Sequence, residues 1–167
     1  PGVFKAPEPD SGRSGTVEGV ALAADARPRV QILARAVPSD EGSIADAERL
    51  VVVGRGIGGK KNLKLVREFA AAIGAEIGCT RPVVEAGWLE YRHQVGQTGV
   101  SVAPKLLVSL GVSGAIQHLA GISGAGCVVA VNEDPDAPIL GAAQYSVVGD
   151  CVEFMRAYLR RREVGSR

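Results

Sequence analysis

Five short segments, each ending at or just before a glycine or a polar cluster, limit what this chain can fold into. They lie at residues 50–53, 75–78, 106–110, 127–131 and 146–149. Apolar runs of four or five residues bounded by turn signals suit strands buried on both faces of a sheet. Between the first two, Leu63, Val66, Phe69, Ala70 and Ile73 recur at helical spacing within residues 60–73, and Gly74 is placed to cap that helix. A helix with a basic end is expected at residues 151–162. Strands separated by helices build βαβ units, so the expected fold class is α/β, with an open, mostly parallel sheet and helices on both faces. Ligands of such sheets sit at the carboxyl ends of the strands.

Composition agrees with this architecture. Hydrophobic residues make up 46% of the 167 but aromatics only 4%, so the core must be built of Val, Leu, Ile and Ala. A formal net charge of +1 argues against a nucleic-acid surface. Cys79, Cys127 and Cys151 match neither a disulfide framework nor a zinc site, which points to a reducing, cytoplasmic setting. No apolar run reaches the eighteen residues of a membrane span. Residues 1–43 are expected to be a linker or arm, with an extended strand at 28–37, and residues 44–167 the compact domain. The start at PGVF, without Met or a signal sequence, suggests a fragment or a processed product.

Five clusters could carry chemistry. GRGIGG at 54–59 follows a strand and precedes a helix, as a dinucleotide loop does, and Arg55 adds a charge suited to phosphate. The residues alone leave a plain strand–turn–helix equally open. In CTRPVVEAGW, Arg81 can fork onto an anion or stack on a ring, or simply pair with Glu85. VGQTG at 95–99 (Val95, Gly96, Gln97, Thr98) and SGAIQH at 113–118 (Ser113, Gly114, Ala115, Ile116, Gln117, His118) pack hydrogen-bonding groups among small residues. Ser113 is expected to cap a helix starting at Gly114, with His118 one turn in, and His118 taken alone reads more readily as a satisfied core histidine than as a ligand contact. His93 is expected on the surface and Trp88 in packing. VNEDPDAP ends a strand at Asn132, and Asp150 can accept from a ribose hydroxyl or cap the final helix. No catalytic nucleophile and no metal-ligand spacing emerges.

Read together, VGQTG, APKLLVSLGVSGAIQHLAGI and VAVNEDPDAPIL resemble the electron transfer flavoprotein alpha subunit, from about residue 50 to 161. The resemblance implies a Rossmann-like, deoxyhypusine-synthase-like FAD-binding domain that follows an N-terminal domain. It implies FAD as cofactor and an electron carrier rather than an enzyme. It implies a heterodimer with a beta subunit, flavin dehydrogenases as donors, and a quinone-linked oxidoreductase or other redox acceptor. Neither nucleic acid nor membrane insertion is expected, and the location would be cytoplasmic, or the mitochondrial matrix in a eukaryote. Carried over by position, Arg55 and Thr80 would meet the phosphates, and Arg81 would lie over the isoalloxazine. Val95, Gly96, Gln97 and Thr98 would hold the ring edge, with Thr98 near N5. Ser113, Gly114, Ala115, Ile116, Gln117 and His118 would hold the pyrophosphate and, through His118, the C2 oxygen. Asn132, Asp150 and Cys151 would take the adenosine end. His118 and Arg81 together would favour an anionic semiquinone.

The chain departs from the family at Leu107, where tyrosine is usual, at Glu85 for Asp, and at Cys79 and Thr80. LEYRHQVGQTG also resembles branches of the family that bifurcate electrons. Two alternatives stay open on the residues. One is a nicotinamide-nucleotide domain of a transhydrogenase-like or deoxyhypusine-synthase-like enzyme, and the other is a flavin-free pairing module.

Overall fold

In the computed structural model, residues 8–21, 30, 32–34 and 43–165 are described. Residues 43–165 fall in one compact unit, and the described residues before them in another. In the second unit, Asp10 closes a turn by accepting from the Gly12 amide at 2.9 Å and from Arg13 Nε at 3.2 Å. Of the strand expected at 28–37, residues 30 and 32–34 are not in strand, and the others lie outside the described residues.

The compact unit holds five strands: β1 (Arg49–Val53), β2 (Glu76–Cys79), β3 (Leu106–Leu110), β4 (Val128–Asn132) and β5 (Tyr145–Val148). All pair in parallel, in the order β2-β1-β3-β4-β5. Five helices accompany them: α1 (Leu63–Ile73), α2 (Arg81–Glu85), α3 (Ile116–Ile122), α4 (Pro138–Ala142) and α5 (Cys151–Gly165). The expected open α/β sheet is therefore the fold found.

The alternation of side chains along a strand explains why β1 is apolar without a break. Val51 and Val53 face one core with Val108, Leu110 and Val131, under Val66 and Phe69 of α1 and Met155 of α5. Leu50 and Val52 face the other with Leu107 and Ala130, under Ile122 of α3 and Ile139 of α4. Gly74 ends α1 in the left-handed conformation, at φ 64°, with its amide on the last turn. Residues 60–62 form a 3₁₀ turn ahead of α1, so the helix begins three residues later than its periodicity suggests.

The chain steps from β1 outward to β2 and returns to the far side of β1 as β3, so the strand order reverses between β1 and β3. At this switch point the loops leaving the two strands touch. The Gly54 amide donates to Leu110 O at 2.9 Å and the Gly56 amide to Gly111 O at 3.0 Å. A Cβ on Gly54 would overlap the Gly111 carbonyl, and one on Gly111 would stand 2.6 Å from the Gly56 backbone. Gly111 also sits at φ +60°, where side chains are strained.

Two stability predictions follow from the packing. Gly54→Ala forces the crossing apart and should cost about 2 kcal/mol or more, measured by urea denaturation. Ser109 lies fully buried in β3 with an unpartnered hydroxyl. Ser109→Ala should leave stability unchanged or raise it by up to about 1 kcal/mol.

Candidate functional site

The carboxyl ends of β1–β4 open onto a cavity of about 720 Å³, within the range of small-ligand sites. Its wall begins with Gly54, Arg55 and Gly56 after β1, and Thr80, Arg81 and Pro82 after β2. Gln94, Val95, Gly96 and Thr98 of the following turn continue it, then Gly111, Val112, Ser113 and Ala115 after β3. Gln117 and His118 of α3 close it together with Asn132 and Asp134 after β4.

His118 is the most informative group. Its side chain is 6% exposed, its Nδ1 lies 3.1 Å from the Val95 carbonyl oxygen, and its Nε2 has no partner. A carbonyl only accepts, so Nδ1 carries the proton, and in the neutral ring Nε2 holds an unshared lone pair, itself buried, on a side chain that lines the cavity. Burial lowers the His118 pKa from 6.5, opposed by the bond to Val95. A buried polar atom without a partner calls for a ligand to satisfy it.

The turn that carries Val95 is sewn in from several sides. Val95 N donates to Cys79 O at 2.8 Å, Gln97 N to Gln117 O at 2.8 Å, and Val102 N to Gly121 O at 2.8 Å. A Cβ on Gly121 would meet the Gly96 backbone at 2.5 Å. The small residues here admit chain against chain, which brings Val95 within reach of His118.

Arg81 opens α2 and lines the cavity while its Nε bonds Glu85 Oε1 at 2.8 Å. Both side chains are more than half exposed, so this pair contributes little stability. Of the two alternatives for Arg81, the pair with Glu85 is the one seen, and it leaves the residue in the cavity wall. Thr80 is 9% exposed, and its hydroxyl does not cap α2.

The remaining expected residues take up the following places, some as expected and some not. The amides of Gly54 and Gly56 are used on β3, so these glycines serve the loop crossing. Ser113 does not cap a helix; α3 starts at Ile116 after Ala115, because the Ser113 carbonyl takes the Ile139 amide at 3.1 Å and Gly114 turns at φ +89° against Ile139. Asn132 lines the cavity, but its Nδ2 donates to Val112 O at 2.7 Å and its Oδ1 accepts from Asp134 N at 3.0 Å, so its amide braces two loops. Asp150 caps α5 through the Val152 and Glu153 amides, at 2.6 and 3.2 Å. Cys151 is buried with Sγ 3.5 Å from Gly56 O, and burial pushes its thiol up to about 11. Gln97, Gly114, Ile116, Asp150 and Cys151 are not in the cavity wall. His93 is half-buried, with Nδ1 2.9 Å from Ile77 O, and Trp88 packs on the core.

Gln94, 3% exposed, and Asp134 line the cavity and were not among the expected site residues. Gln94 stands just before VGQTG, and its burial was the missing signal. Among the described residues no cluster could hold a metal ion, and no helix is long and apolar enough to cross a membrane.

Residues 43–123 match the family described as the electron transfer flavoprotein FAD-binding domain. Protein FixB of Azotobacter vinelandii is 40% identical over 154 residues, which is 90% of this chain and 43% of that protein. The electron transfer flavoprotein subunit alpha of Thermoanaerobacterium thermosaccharolyticum is 42% identical over 153 residues, 90% of this chain and 46% of that protein. Lactate dehydrogenase (NAD(+),ferredoxin) subunit LctC of Acetobacterium woodii is 46% identical over 112 residues, 67% of this chain and 27% of that protein. The chain thus spans less than half the length of these relatives.

The titration of His118 gives a test without ligand. Its folded pKa lies below 6.5, so the unfolded chain takes up the proton first. The stability it contributes is fully present above pH 6.5 and falls as the pH drops below that value. His118→Gln should flatten that part of the pH–stability curve, and an unaltered acid limb in urea melts at pH 5–7 would contradict the assignment.

Proposed function

From the match of residues 43–123 to the electron transfer flavoprotein FAD-binding domain family, we propose that the cavity holds FAD and that the chain carries single electrons. The observation that carries this reading is His118 Nε2, buried and unpartnered in a wall that also presents Arg55 and Arg81. When bound, FAD supplies the redox chemistry, because its ring accepts and releases electrons one at a time. The residues present fit such a group: two guanidiniums and a histidine for an anion, the Thr80, Thr98 and Ser113 hydroxyls, and apolar Val95 and Val112.

Burial favours the neutral form of His118. An anionic ligand held beside Nε2 would oppose that burial effect, so that His118 would keep a proton on Nε2 and donate a hydrogen bond from it. Arg81, whose Nε is held by Glu85, directs the rest of its guanidinium toward the same ligand. Arg55, Thr80, Ser113 and Gln117 take the phosphates. Asn132 and Asp150 support the adenosine end indirectly, through the loop and helix they brace. In this reading residues 44–167 are the FAD-binding domain.

Arg55, Arg81, Thr98, Ser113, Ala115 and Gln117 are exposed along the wall, which leaves room for a beta subunit to cover the ligand. Flavin dehydrogenases are the proposed donors and a quinone-linked or other redox protein the acceptor. The relative named as a subunit of a lactate dehydrogenase using NAD(+) and ferredoxin supports a place in a larger redox assembly. Three free thiols support a reducing, cytoplasmic compartment.

The test is the affinity for FAD in its oxidised and reduced forms, by fluorescence and anaerobic titration. His118→Ala should weaken binding of reduced, anionic FAD about tenfold more than oxidised FAD. Arg81→Ala should act in the same direction. An equal loss for both forms would contradict the roles given to these side chains.

A further inference from the structure

The turn at residues 94–100 contains a buried carboxamide whose arrangement restricts where a hydroxyl can point its proton. Gln94 Nε2 lies 3.1 Å from Thr98 O and 3.1 Å from Thr98 Oγ1. The Tyr91 hydroxyl donates to the same Thr98 carbonyl at 2.6 Å. Because that carbonyl can only accept, the Gln94 amide must turn its nitrogen, and not its oxygen, toward Thr98. The same NH₂ group then donates to Oγ1. With one lone pair of Oγ1 so engaged, the threonine's own O–H is kept from pointing at Gln94 and is left to the remaining directions, the cavity among them.

The backbone holds this geometry in place. Gln94 O accepts the Val100 amide at 2.7 Å, and Gly96 N donates to Val100 O at 3.1 Å. A Cβ on Gly99 would overlap the Gln94 carbonyl oxygen, so the turn closes only with glycine there. Gln94 also pairs with Cys79 in a parallel bridge, which ties the turn to the end of β2. A buried amide that makes both its donated bonds to one residue is poorly explained as filler, since burying it costs free energy that an apolar side chain would avoid.

We propose that Gln94 is a positioning residue that, by occupying one acceptor site of Thr98 Oγ1, biases the hydroxyl toward donating into the cavity, so that the site favours a ligand edge presenting an acceptor. This rests on the flavin reading of the cavity and adds to it a device for telling oxidation states apart. The N5–C4=O edge of oxidised isoalloxazine carries only acceptors, whereas full reduction places a hydrogen on N5. A hydroxyl free to turn serves either edge, but one biased toward donating favours the oxidised edge.

The experiment compares the full chain with Gln94→Leu, Thr98→Val, the double variant and Thr98→Ser, each titrated with oxidised and with reduced FAD. Gln94→Leu should lower the preference for oxidised over reduced FAD about three- to tenfold, the size of one directed hydrogen bond. It should change nothing further in the Thr98→Val background, and Thr98→Ser should keep the preference. Equal shifts by Gln94→Leu with and without the threonine hydroxyl would show a merely structural role and overturn the proposal. A second measurement uses the unaltered chain without FAD. By NMR the Gln94 carboxamide protons should exchange with solvent more slowly than those of exposed Gln97, and Thr98→Val should shift one of them. Exchange as fast as that of Gln97 would overturn the proposal whether or not FAD binds. Failure of the unaltered chain to bind FAD would instead remove the flavin reading, and the carboxamide measurement would still decide the role of Gln94.

Discussion

Where the chain leaves β1 and again where it leaves β3, the two backbones run against each other with no space for a side chain. Gly54, Gly56 and Gly111 make that contact, and two amide–carbonyl bonds fasten it. The crossing lies where the strand order reverses, so it forms the floor between loops that would otherwise diverge. Arg55 projects from one side of it, and Ser113 and the start of α3 follow from the other. The cavity's shape therefore depends on a contact between glycines at least as much as on the side chains that line it.

Above this floor the site is built by chain folding on chain. The 94–100 turn reaches β2 through Cys79, α3 through Gln117 and Gly121, and itself through Gln94. The Val95 carbonyl then fixes the protonated nitrogen of His118 and leaves the other buried without a partner. Gln94 restricts the Thr98 hydroxyl in a corresponding way. One turn thus constrains the hydrogen-bonding sense of two side chains in the same wall. Such preorganisation is what a tuned redox site requires, because the groups need not reorient when charge arrives.

Much of this architecture was legible in the residues. The unbroken apolar run of β1 and the 3.6-residue pattern of α1 report burial directly, and Gly74 marks the helix end. VGQTG and SGAIQH were legible as a pair because both crowd polar groups among small residues. The purpose of the glycines was harder to read, since a pattern does not distinguish approach by a ligand from approach by another loop. Gly54 and Gly56 make the second kind of approach and also line the cavity. Ser113 looked like a cap, yet Gly114 packs against Ile139, a residue 25 positions on, and that contact delays the helix. Asn132 and Asp150 are polar residues at strand ends, where bracing a loop and holding a ligand ask for the same side chain. Gln94 could not be recognised at all until the turn was closed, because its meaning lies in the atoms it faces.

The central claim is that the loops at this switch point enclose a flavin dinucleotide between Arg81 and His118. Adding FAD to isotopically labelled chain and following the amide resonances tests it most directly. The account predicts changes concentrated at residues 54–56, 80–82, 94–98, 111–118 and 132–134, with the imidazole nitrogens of His118 shifting as well. Changes confined to α1, α5 or β5, or a spectrum unmoved by saturating FAD, would contradict it.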